Sequence, residues 1–213
     1  PTLTETFNTS LTTIQWVLLI YDLLLIGTVI TVGRLGDLFG RRRFYASGFL
    51  IFVISSALCG ASQTAWQIIL FRGLQAIGGA MISANGRAIA SIALPSHQRG
   101  QAMGFASMAF HVGFLTGPTL GGFLIDTIGW RWIFYINLPV GFWGAYLAWK
   151  LLQESKAETK RTSVDLPGAI LLMLTCSLFI YAMNELPHAG WADAQVAGCL
   201  VLAALALSLF IYV

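Results

Sequence analysis

Charge is scarce in this 213-residue chain: 10% of its residues are Asp, Glu, Lys or Arg, while 57% are hydrophobic. A soluble domain carries roughly 25% charged residues. The shortfall leaves too little to cover a water-facing surface and marks an integral membrane protein. Cysteine is nearly absent as well. Cys59, Cys176 and Cys199 lie in apolar segments at irregular spacing, and 3 is an odd number. Neither a disulfide framework nor a metal site is indicated, and the three read as inert buried thiols. No G-x-x-x-x-G-K-[ST] loop occurs, so ATP-driven transport by this chain has no support. H-E-x-x-H and G-x-S-x-G are missing too. The glycines of "GGAMISANG" follow no strand, so no dinucleotide site is indicated, and no cofactor is expected. There is no nucleophile or metal cluster to suggest a membrane enzyme. The basic residues form no patch suited to nucleic acid. The chain starts at Pro1 without a signal peptide and ends in the apolar run "SLFIYV", which reads as a fragment.

Apolar runs are plentiful instead. At about 20 residues per spanning helix plus short loops, this length suits about seven spans. Helix is expected because a lone span must satisfy its own backbone groups, and the runs do not alternate with period two as barrel strands would. The fold class is therefore all-α, a polytopic membrane helix bundle. Spans are expected over about 14–33, 44–62, 66–94, 101–127, 132–152, 166–184 and from 194 onward. Pro95 stops the third. Pro118 lies inside the fourth, where it removes one backbone bond and is expected to kink the helix. The stretch 153–165, "QESKAETKRTSVD", is hydrophilic and divides five spans from a later pair.

Orientation follows from the cations. Of the 12 Lys and Arg residues, Arg34, Arg41, Arg42, Arg43, Arg87, Arg99, Lys150, Lys156, Lys160 and Arg161 fall on one side, Arg131 falls on the other, and Arg72 lies within a span. The positive-inside rule puts "GRLGDLFGRRR", "PSHQRG" and 153–165 in the cytoplasm, and residues 1–13 outside. Trp66, Trp130, Trp132 and Trp191 then sit near outer boundaries, as interface aromatics do.

The stretch Gly33–Arg43 gathers one carboxylate and four arginines between two spans. Fixing topology would suffice to explain them. Gly33 and Gly40, however, flank Asp37 as a tight turn with close backbone approach would require. Asp37 is also placed at a membrane boundary, where a helix N-terminus favours a carboxylate. Arg72 is an ion inside a span, so it should face protein or water and have a partner; it is either a structural buried arginine or part of a proton or substrate path. Gln75, Gly79, Ser83 and Gly86 follow it on roughly one face, as a cavity lining or a tight helix contact. Asp22 lies at a similar depth in the first span. It is read as an ion-pair partner of Arg72, as a proton-exchanging acid, or as a solvated group near the outer mouth. Gly113, Gly117 and Gly121 recur at four-residue spacing, which lets helices pack closely. His111, just before them, is a packed polar residue or a group touching protons or substrate. Asp126, Arg131 and Asn137 are read as capping and pairing groups, and Glu185, Asp193, His97 and His188 as loop residues.

The spacing G-x-L-G-D-x-x-G-R-R-R resembles the loop between the second and third helices of major facilitator transporters. "LFRGLQAIGGA" resembles their fourth-helix motif, with Arg72 at its arginine. "GFLTGPTLGG", which includes Pro118 and Gly122, resembles the fifth-helix antiporter motif. "GWRWIFYINLPVG" and "QWVLLIY" are similar to the drug:proton antiporter branch with fourteen spans. Together these cover most of residues 14–141 in order. The resemblance implies the major facilitator fold, incomplete here, covering the second to eighth helices. Residues 1–152 would be an N-terminal bundle lacking its first helix, 153–165 a cytoplasmic linker, and 166–213 the extra pair between two halves. It further implies a plasma-membrane transporter driven by a proton gradient, exporting drugs or small amphipathic compounds by alternating access. Asp22, Arg72, Gln75 and His111 would lie on the proton or substrate path. Gly33, Asp37, Gly40, Arg41, Arg42 and Arg43 would form a cytoplasmic gate, and Gly113, Gly117, Pro118, Gly121 and Gly122 a packed antiporter-type helix. The partners implied are small-molecule substrate, protons, lipid, and the missing first helix and C-terminal half. Another solute of the same superfamily, moved in either direction, and a non-transporting fragment needing a complementary half are the rival readings.

Overall fold

The computed structural model describes residues 2–154, 166–191 and 193–212. Among them are nine helices and no strand: α1 (Thr2–Phe7), α2 (Leu11–Phe39), α3 (Arg41–Ala61), α4 (Ala65–Ala93), α5 (Ser96–Ile128), α6 (Trp132–Tyr135), α7 (Asn137–Leu151), α8 (Leu166–Ala189) and α9 (Ala194–Tyr212). Six of these, α2 to α5, α8 and α9, are long and apolar enough to cross a membrane. The fifth expected span is broken at Ile136 into the single turn α6 and the 15-residue α7. Six of the seven expected crossings are thus long apolar helices, and the fifth is a shorter, broken pair. The hydrophilic stretch, apart from Gln153 and Glu154, lies outside the described residues.

Local chemistry sets the helix starts. Ser10 Oγ accepts from the Thr13 N–H at 3.2 Å at the head of α2, and Thr64 Oγ1 from the Gln67 N–H at 3.3 Å at the head of α4. Such side chains satisfy one of the N–H groups that a helix start leaves unpaired. Asp193 does the same for α9, accepting from the N–H groups of Gln195 and Val196 at 2.8 and 3.2 Å. It was expected as a solvated loop acid and is a cap.

Several boundaries differ from expectation. "PSHQRG" is not a loop: α5 begins at Ser96, directly after Pro95. Pro fits a helix start because the first N–H groups have no partner there. The segment from Glu185 to Ala189 continues α8, and the turn comes at Gly190, with φ +81°. The largest difference is at the arginine stretch. α2 runs to Phe39, so Gly33 and Asp37 are helical, and one residue, Gly40, joins α2 to α3. Its φ of +115° is a backbone conformation that suits glycine. Gly33 therefore contributes nothing to the turn.

The core lies between α2, α3, α4 and α7. α3 and α4 meet almost backbone to backbone: a Cβ on Gly78 would lie 2.7 Å from the Phe52 nitrogen and 2.9 Å from the Gly48 carbonyl oxygen. In lipid, where no hydrophobic force drives helices together, such close approach supplies the packing energy. At the end opposite Gly40, Val17, Cys59, Ile68, Ile69, Trp130 and Phe134 form one buried cluster. Trp130 is 6% exposed, with Phe7 against its ring at 5.5 Å. It is a core residue, not an interface aromatic, because Gly129 turns the chain inward there with φ +97°. Trp66, Trp132 and Trp191 remain exposed. Arg131 stacks over Trp130 at 4.5 Å and donates to the Ser62 carbonyl, and Asn137 donates to the Ile133 carbonyl. α8 packs on α2, with Tyr181 stacked on Trp16 at 6.3 Å.

α5 stands apart. None of its residues is buried, and a Cβ on Gly113, Gly117, Gly121 or Gly122 would meet nothing within 4 Å. The tight contact expected of this glycine face is not made with any described residue. The helix continues through Pro118. Replacing Gly78 by Ala is predicted to push α3 and α4 apart and cost about 1–3 kcal/mol. Thermal unfolding of the purified chain in detergent reads this as a lower midpoint, whereas Gly113→Ala is predicted to leave it no lower.

Candidate functional site

Arg72 sits on the second turn of α4 and points into the seam between α2, α3 and α4. Its Nε donates to the Val17 carbonyl at 3.0 Å, and its Nη1 to Gln75 Oε1 at 2.7 Å. Gln75 Nε2 donates onward to Ser56 Oγ of α3 at 2.6 Å. Gln75 and Ser56 are buried, at 1% and 0% exposure. The Tyr21 ring lies under the guanidinium at 4.2 Å, a cation–π contact that offsets part of its desolvation. One ion thus gathers a carbonyl and an aromatic face from α2 and an amide from its own helix, and reaches α3 through that amide. Beside it lies a cavity of about 210 Å³ lined by Val17, Leu18, Ile125, Trp130 and Phe134.

Asp22 does not join this group. It is exposed, and no ion pair with Arg72 forms. The reason is helical phase: successive side chains on α2 are about 100° apart, and Tyr21 takes the place beneath the guanidinium. Of the expected stripe, Gln75 belongs to the Arg72 network and Gly79 lies under the Tyr21 hydroxyl, 2.8 Å from where its Cβ would be. Ser83 and Gly86 line a separate cleft of about 480 Å³ between α4 and α5, together with Tyr45, Arg87, Ser107 and His111. His111 is exposed, and its Nδ1–H donates to the Ser107 carbonyl at 2.6 Å.

The second polar group surrounds Gly40. Asp37 is in the last turn of α2, where the helix dipole disfavours a carboxylate, contrary to the expected N-terminal setting. Arg41 offsets this, its Nε donating to Asp37 Oδ1 at 2.6 Å with a side chain only 13% exposed. Arg43 pairs with Glu154 at 3.4 Å. Glu154 Oε1 also accepts from the Arg42 N–H at 3.2 Å. Arg42 itself donates to the Trp149 carbonyl and stacks on the Trp149 ring at 4.8 Å. All the residues expected to form a gate, except Gly33, therefore meet at one end of the bundle.

Tyr21, Ser56 and Glu154 join these two groups and, like the buried Asn85, were missed by sequence reading. Asn85 is 1% exposed, and its Oδ1 would lie 1.8 Å from a Cβ on Gly36. Glu154 carried a signal, as the first acid after a long apolar run. Tyr21, Ser56 and Asn85 are ordinary span residues until their partners are known.

The chain has clear relatives. A family model, that of the Major Facilitator Superfamily, matches residues 1–213. "Riboflavin transporter RibZ" of Clostridioides difficile is 36% identical over 185 residues, 87% of this chain and 41% of that protein. "Multidrug resistance protein Stp" of Mycobacterium tuberculosis is 36% identical over 200 residues, 93% of this chain and 37% of the relative. "Tetracenomycin C resistance and export protein" of Streptomyces glaucescens is 31% identical over 210 residues, 99% and 39%. The chain spans about two-fifths of the length of these relatives.

Gln75→Leu is predicted to leave both Arg72 Nη1 and Ser56 without their buried partner, costing about 3 kcal/mol, whereas Ser56→Ala costs about 1 kcal/mol. The thermal midpoints of the two purified variants should fall in that order below the parent.

Proposed function

Since the chain belongs to the major facilitator superfamily, it is a multi-pass plasma-membrane protein of a transporter family and not an enzyme, and we propose that it is part of a proton-coupled exporter of drugs or other small amphipathic compounds. The observation that carries this reading is the setting of Arg72. A guanidinium inside a span is costly and belongs to a bundle interior or a water-filled path. Here it is held by neutral acceptors and an aromatic face beside a cavity, with no carboxylate in ion-pair contact among the described residues. Such an ion is free to respond when a nearby acid gains or loses a proton. Asp22, one position along α2 from Tyr21, is the acid assigned to that exchange, Gln75 borders the path, and His111 is assigned to substrate at the separate cleft between α4 and α5. The names of the relatives support drug export, with Stp and the tetracenomycin C protein named for resistance.

In this reading residues 1–152 form most of an N-terminal half, which works with a first helix and a C-terminal half in a complete transporter. The pair α8–α9 links the halves. Two bundles rock around a central site, and substrate and proton each shift the balance by binding one form better. The face of α5 bearing Gly113, Gly117, Pro118, Gly121 and Gly122 packs against the other half. Asp37 and Arg41–Arg43 hold the cytoplasmic side closed in the outward-open form. The riboflavin transporter among the relatives favours a second reading, in which the solute is a vitamin-like compound and the same machinery carries it.

The test is efflux from drug-challenged cells expressing the complete transporter. Efflux is predicted to stop when a protonophore collapses the gradient. Arg72→Ala should lower it about tenfold, equivalent to roughly 1.4 kcal/mol of lost transition-state stabilisation, and Asp22→Asn should lower it as well. Efflux that survives the protonophore unchanged would overturn proton coupling, and unchanged rates in both variants would make the two residues structural.

A further inference from the structure

The charges around Gly40 do more than pair along one helix. α3 begins at Arg41 with a glycine as its N-cap, so no side chain at the cap position satisfies its first N–H groups. Glu154, more than a hundred residues away in sequence, supplies what is missing. Its Oε1 accepts from the Arg42 N–H at 3.2 Å, and its Oε2 pairs with Arg43 at 3.4 Å. A carboxylate is also the group that a helix N-terminus favours electrostatically. The debt runs the other way at α7. Its last carbonyls have no partner within the helix, and the Arg42 guanidinium takes the one at Trp149 while stacking on the Trp149 ring at 4.8 Å. Each helix end thus completes the other.

Glycine at position 40 makes this possible. A Cβ there would lie 2.5 Å from Glu154 Oε1, so the carboxylate rests directly on the turn. The consequence falls on Asp37 and Arg41. Three consecutive arginines repel one another, and Asp37 can engage only one or two of them. Glu154 engages the Arg43 guanidinium and Trp149 holds that of Arg42, which leaves Asp37 paired with Arg41 alone.

We propose that Glu154 is a positioning residue for the cytoplasmic gate: with Arg42 it clasps the end of α7 to the start of α3, and so fixes the Asp37–Arg41 pair on the other side of Gly40. This role rests on the transport reading above. In it, α3 and α7 move as one body, and the gate charges keep one arrangement until the opposite half arrives.

The experiment compares Glu154→Ala and Glu154→Gln with the parent in the complete transporter, with two readouts. Glu154→Ala is expected to lower the thermal midpoint in detergent by about 2–4 °C and to cut the maximal efflux rate several-fold, with the half-saturating substrate concentration unchanged. Glu154→Gln, which can still accept from the Arg42 N–H, should recover most of the midpoint. A Glu154→Ala variant with an unchanged midpoint overturns the clasp, as does a Glu154→Gln variant with a midpoint no higher than that of Glu154→Ala. A lowered midpoint with unchanged maximal rate overturns the positioning role. If the parent carries no compound, the transport reading fails, while the order of midpoints still accepts or rejects the clasp.

Discussion

A single guanidinium in a water-poor seam governs how α2, α3 and α4 stand relative to one another. Arg72 cannot be left without acceptors at that depth, because lipid and apolar side chains offer none. It draws the Val17 carbonyl from α2 and, through Gln75, the Ser56 hydroxyl from α3. These bonds fix rotation about the helix axes, which apolar contacts alone leave loosely specified. The close meeting of α3 and α4 at Gly48 and Gly78 fixes their separation. Together the two constraints set the frame on which the remaining helices hang.

The polar groups divide by end. Around Arg72 they are buried, mostly neutral and linked in series. Around Gly40 they are charged, partly exposed and paired across helix ends. The first arrangement suits a group whose environment changes when a proton moves nearby. The second suits a surface that must attach and release, since exposed pairs in high dielectric hold weakly and exchange readily. The expected cytoplasmic stretches around Gly40 and Gln153 do lie at the same end of the molecule, as the Arg43–Glu154 pair demonstrates.

Much of the architecture was legible because membrane spans obey strong composition rules. Six of the crossings, the stop at Pro95 and the place of Arg72 could all be read from runs of residues. What could not be read were facts of phase and partnership. Asp22 and Tyr21 are neighbours in sequence, and only the rotation of α2 decides that the tyrosine lies beneath Arg72. Trp130 resembles its fellow tryptophans in composition, and a turn at Gly129 decides that it is buried. The stretch Gly33–Arg43 read as a loop because it is polar and rich in glycine, although intrahelical bonds carry α2 through it to Phe39. Asn85, Ser56 and Glu154 escaped notice because each gains meaning from a residue far away along the chain.

The junction between α2 and α3 has one residue in it, and a one-residue junction has no slack. Longer connections absorb displacement by flexing; here two dihedral angles at Gly40 are the only soft coordinates between two helices of 29 and 21 residues. A tilt of α2 near Asp37 therefore has two outlets, rotation about those two angles or a matching shift of α3, and no third residue shares the load.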